Sequence, residues 1–136
     1  MFNLHRLLIG LFSLHLTIGS IEQAVANDDW VKLGSNSKED FFLNFKTEVW
    51  EGTDVVSVWE LSNLKKRGGD GQMSQLIYFT FNCAKRSYVF RQIMDYDEKF
   101  AAGKELGSSS YPNREFKYTK PASHSDALMR FMCKLN

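Results

Sequence analysis

The clearest pattern in the chain lies at residues 74–83. Ile77, Phe79, Phe81 and Cys83 fall on one face of an extended strand, with Tyr78, Thr80 and Asn82 on the other. A turn around Ala84 and Lys85 separates this run from a second one at residues 87–95. The two predict an antiparallel hairpin at the centre of a sheet. Upstream, residues 55–61 are dominated by β-branched and aromatic side chains and predict another strand. Residues 40–46 carry Phe41, Phe42, Leu43 and Phe45 and predict a buried strand. Val49 and Trp50 follow, ahead of a turn at Gly52, Thr53 and Asp54. Residues 28–33 alternate over a short span ended by Gly34, Ser35, Asn36 and Ser37, an edge strand and a turn.

The downstream part changes period. Residues 96–102 predict a short helix stopped by Gly103. Residues 106–114, with Gly107, three serines and Pro112, predict a loop, and residues 115–118 a short strand. Ser123 with Asp126 three residues on is an N-cap pattern. Leu128, Phe131, Met132 and Leu135 then fall at helical spacing on one face, which predicts a C-terminal amphipathic helix. No internal repeat or linker interrupts the chain. The fold class is α+β: a single antiparallel sheet packed by the C-terminal helix and the short second helix.

The beginning of the chain reads differently. His5 and Arg6 precede an apolar run at residues 7–21, and Ala24-Val25-Ala26 follows with small residues where a signal peptidase reads. This is the pattern of a secretory signal peptide at residues 1–26. A transmembrane anchor is the alternative, but about 15 residues is short of the roughly 20 a span needs, and the run holds His15. No cysteine lies near the cleavage site, so a lipid-modified terminus is not expected, and no later segment is apolar enough to span a membrane. The expected location is the periplasm, the cell surface or the exterior.

Export gives the cysteines a context. Cys83 and Cys133 are the chain's 2 cysteines, and an even count in an oxidising compartment predicts one disulfide. The rival readings are a metal site or a reactive thiol. A metal site needs more ligands, and His124 is the one histidine after residue 26. Closing a loop of about 50 residues corresponds to roughly 4 kcal/mol of chain entropy. With 11 Phe, 5 Tyr and 3 Trp in the chain, large apolar surface is plentiful for a small core.

Composition narrows the chemistry. The 136 residues suit one domain, and 17 Lys+Arg against 16 Asp+Glu give a net charge of +1. No overall field draws the protein to nucleic acid or an anionic membrane, and nucleic acid is not an expected partner. Nucleophilic catalysis needs a Ser, Cys or Lys beside a base. His124 falls in the predicted first turn of a helix and reads as an exposed helix start. Ser108, Ser109 and Ser110 have no G-x-S-x-G context, and Asp95-Tyr96-Asp97-Glu98 lacks the spacing of a calcium loop. No catalytic, cofactor or metal residues are assigned, and the chain is read as a non-enzyme. Lys65, Lys66 and Arg67 open a loop with Gly68, Gly69 and Gly71 that reads as unrestrained. These three cations are the candidate contact loop.

Several features fit together over most of residues 27–136. Trp30 precedes a Phe41-Phe42-Leu43-Asn44 strand, and Val58-Trp59 follows in the next. A strand ends in Asn82-Cys83-Ala84; a basic and aromatic strand leads to Asp95-Tyr96-Asp97; Gly103 closes the stretch. Pro121-Ala122-Ser123 then opens a helix reaching Cys133. This arrangement resembles the surface-adhesin protein E family of small exported proteobacterial domains. Asn44 departs from the family's Y-Y-x-D pattern, and Phe116 stands where Trp is common. The missing N-terminal Cys sets the chain apart from the lipoprotein member. The resemblance implies an adhesin E-like domain over residues 27–136, a sheet packed by helices, and a disulfide joining the hairpin to the last helix. For the adhesins proper it implies binding of host matrix proteins such as vitronectin and laminin. A periplasmic domain serving an envelope process, as accessory subunit or inhibitor, is the alternative. A protein partner is expected, without a cofactor; no ligand-site residue carries over.

Overall fold

The computed structural model describes residues 29–135. The expected signal peptide lies outside the described residues. Seven strands form one antiparallel sheet: β1 (Val31–Ser35), β2 (Glu39–Glu51), β3 (Val55–Leu64), β4 (Ser74–Asn82), β5 (Ser87–Tyr96), β6 (Glu105–Ser110) and β7 (Lys117–Tyr118). They run in the order β1-β2-β3-β4-β5-β6, and β7 pairs with β5 beyond the end of β6. One helix, α1 (His124–Met132), follows. Among the described residues no helix is long and apolar enough to cross a membrane.

Period-two side chains sort the sheet into two faces. Leu43, Val56, Val58, Phe79 and Phe81 point to one face and form a core with Leu128, Met129 and Met132 of α1. The opposite face is more polar. There Ser57 and Thr80 hydroxyls bond at 2.8 Å, and Trp59 packs on Tyr78 at 4.9 Å between ring centroids. The β4–β5 hairpin lies as its alternation predicts, Phe81 opposite Tyr88 and Phe79 opposite Phe90.

The two apolar runs at 40–46 and 49–50 are one 13-residue strand, β2. Its register against β3 shifts between Asn44 and Val49. Thr47 secures that irregularity: its hydroxyl donates to the Asn44 carbonyl at 2.6 Å and accepts the Trp59 N–H at 3.1 Å. The Asn44 side-chain oxygen accepts the Lys46 N–H at 3.1 Å. The hairpin then turns at Gly52, whose φ of 64° is left-handed and suits a residue without Cβ.

The expected second helix is a single 3-10 turn, Lys99–Ala101. Phe100 and Ala101 hold left-handed φ values of 60° and 54°. Their N–H groups donate to Asn63 Oδ1 at 2.8 Å and Ser74 Oγ at 3.0 Å, partners on β3 and β4. Tertiary acceptors replace helical ones, and so short a segment does not propagate a helix by itself. Of the stretch 106–114 expected as a loop, residues 106–110 belong to strand β6, which is exposed at every residue. Its serines leave no apolar period to detect; the ladder to residues 92–96 of β5 makes it a strand.

The N-cap of α1 is as the sequence predicts, with Ser123 accepting the Asp126 N–H at 3.2 Å. The buried face is rotated from the expected one. Met129 is fully buried and Phe131 is 53% exposed, resting on Phe45 at 5.8 Å.

Candidate functional site

The row of side chains that β3 sends into the core reads Val56, Val58, Glu60. Glu60 is a carboxylate in an apolar row, and it is 1% exposed. Burial of a carboxylate requires a partner. His124, in the first turn of α1, supplies it: Nε2 lies 2.8 Å from Glu60 Oε2. The imidazole is itself 40% exposed and lies against the Phe41 ring, 4.1 Å between centroids. His124 is therefore not a plain exposed helix start. Burial alone pushes its pKa down, but the hydrogen bond and charge of Glu60, with Glu39 adding, outweigh that and hold it above the ordinary value.

Beside this pair a groove of about 290 Å³ runs between the β1 side of the sheet and α1. Its sheet wall is Leu33, Gly34 and Phe41. Its helix wall is His124, Ala127, Leu128 and Phe131. Apart from His124 the lining is apolar or glycine. The groove lies where α1 faces the edge strand β1, whose register against β2 shifts between Lys32 and Gly34.

The far end of α1 is held covalently. Cys83 and Cys133 are disulfide-bonded, with a Cα–Cα distance of 5.5 Å, so the hairpin is joined to the last helix. Among the described residues no free cysteine remains and no group of three or more His, Cys, Asp or Glu is placed to hold a metal.

The loop at 65–71 is not unrestrained. The Lys65 N–H bonds the Lys38 carbonyl at 2.9 Å, and its ammonium reaches the Asn36 carbonyl. Gly68 N–H reaches the Gln72 carbonyl at 2.8 Å. The Arg67 guanidinium donates to the carbonyls of Gly71 at 2.8 Å and Asp97 at 2.7 Å. Two of the three cations thus tie the loop to its surroundings, and Lys66 stays exposed without such a tie among the described residues. The loop does not line the groove.

Glu60 is the site residue that sequence reading passes over. Its signal is a lone acid on the inward phase of a strand otherwise filled by Val56 and Val58. Its partner lies 64 positions away, beyond any local pattern.

These features define an α+β scaffold: an antiparallel sheet covered by one C-terminal helix that a disulfide fastens down. The family model for surface-adhesin protein E matches residues 30–134, and the chain belongs to that family. Crystal form II of Haemophilus influenzae protein E superposes with a TM-score of 0.56 at 15% identity, over 76% of this chain and 96% of that one. The selenomethionine form of the same protein gives 0.59 at 14% identity, over 78% and 86%. At such identity the likeness is one of fold. Among curated proteins none matches the sequence.

Proposed function

We propose that this protein is an exported, non-enzymatic binding module of the adhesin-E type whose ligand is a macromolecule. The observation that carries the reading is the family match across residues 30–134, nearly all of the described chain. Within the described residues the His124 imidazole is paired with Glu60, and both thiols are joined in the disulfide. Host matrix proteins such as vitronectin and laminin, which the family resemblance implies, are the first ligands to try. Lys66 is the charge that the loop at 65–71 offers to such a ligand.

The test is two-part. Immobilised matrix proteins are titrated with the oxidised protein, and intact cells are treated with protease beside a periplasmic control. Saturable binding and cleavage with the control intact are the expected results. Survival until the outer membrane is opened replaces adhesion with a periplasmic partner. Absence of saturable binding to matrix or envelope proteins overturns the binding-module reading.

A further inference from the structure

Strand β1 is an edge, and among the described residues it pairs with β2 alone. Alternate N–H and C=O groups along its outer side are therefore open to another strand. The groove lies just inside this edge. Gly34 lends it room, since a Cβ there meets nothing within 4 Å. Phe131 of its helix wall is 53% exposed, and Val31 at the start of β1 is 48% exposed. On the other face of β1 stands Lys32, its side chain 53% exposed and 3.0 Å from Asp40. Asp40 is already engaged by Ser35 at 2.6 Å. Lys38 is exposed at the β1–β2 turn. The edge thus presents an apolar side toward α1 and, away from it, a half-exposed Lys32 paired with Asp40, with Lys38 at the neighbouring turn.

We propose that the β1 edge receives an extended peptide segment of a partner protein, added as a further strand, with apolar side chains toward the groove and acidic ones toward Lys32. This rests on the binding-module reading above and gives it a surface. Three observations select a strand. The open backbone row matches the repeat of an extended chain and of no other element. A groove of about 290 Å³ is near the lower limit for a small-molecule site and admits side chains rather than a whole helix. The opposite characters of the two faces of β1 match the two-residue alternation of a strand, with the acids complementary to Lys32.

The probe is a capped peptide, Thr-Glu-Leu-Glu-Leu-Thr, with two controls: one with lysines for the glutamates, one with alternate backbone amides methylated. Binding to the oxidised protein is followed by the amide resonances of Val31, Leu33 and Ser35. Ala127→Trp fills the groove from an exposed helix position, and Lys32→Glu reverses the charge; circular dichroism confirms that both fold. The acidic probe is expected to shift the β1 resonances, and each variant and the methylated control to weaken it about tenfold or more, about 1.4 kcal/mol. Lys32→Glu should favour the lysine peptide. Equal binding by the methylated control, or by both variants, overturns the inference, as does no binding of any peptide. A dimer in sedimentation that dissociates in Ala127→Trp overturns it in favour of a second copy. Matrix binding that survives Ala127→Trp and Lys32→Glu sinks the edge site while leaving the binding-module reading intact.

Discussion

The two ends of α1 are fastened by different physics. At the C-terminal end Cys133 is bonded to Cys83 beside the central hairpin, and Met129 and Met132 are sunk in the core. At the N-terminal end a half-exposed imidazole meets a buried carboxylate. The covalent end limits the unfolded chain whatever the pH. The ionic end depends on a proton and on a partner that water can reach. One helix is thus docked permanently at one end and conditionally at the other, and the groove runs along it from His124 to Phe131.

The largest loss belongs to the covalent end. Replacing both cysteines, Cys83→Ser with Cys133→Ser, should cost about 4 kcal/mol in urea unfolding for a separation of 50 residues. A loss below about 1 kcal/mol would show that the staple does little. Met129→Ala, at a fully buried position, should cost about 3 kcal/mol by the same measurement. At the ionic end, His124→Ala leaves Glu60 buried without its partner. Partial exposure of the His124 side of the pair tempers the effect to about 1–2 kcal/mol. A Glu60→Gln partner substitution in that background should recover part of it.

The pH dependence has a definite sign. His124 titrates above its ordinary value in the folded protein, so folding favours its protonated form. The stabilisation is complete below the unfolded pKa near 6.5 and fades as pH rises through the raised folded value. Thermal unfolding of the wild type should fall across that window relative to His124→Gln. Parallel curves for the two proteins would remove the ion pair as the cause. The smallest effect is expected at Phe131→Ser, within about 0.5 kcal/mol, because that side chain is 53% exposed. A larger loss would return Phe131 to the core face that helical spacing alone suggests.

Much of this architecture is legible along the chain. The β4–β5 hairpin announces itself because Phe79 and Phe81 repeat every second residue over one buried face. The Ser123 cap and the cysteine count are equally local. Strand β6 is illegible because both its faces meet solvent, so nothing in Gly107, Ser108, Ser109 and Ser110 distinguishes a ladder from a loop. The one-turn segment at Lys99–Ala101 misleads for a different reason: its backbone donors are claimed by Asn63 and Ser74, residues distant in sequence.

The candidate site shows the same division. Residue types and their spacing are sufficient for the strands with a buried face, the capped helix and the family resemblance, since those depend on side-chain periods within one segment. The Glu60–His124 pair, the groove beside it and the restrained 65–71 loop exist only once register and helix placement bring remote residues together. Glu60 is an unremarked acid until β3 turns it inward, and His124 an unremarked helix residue until α1 lies over it. Their meeting is set by the packing of sheet against helix, a contact between segments that no local period encodes.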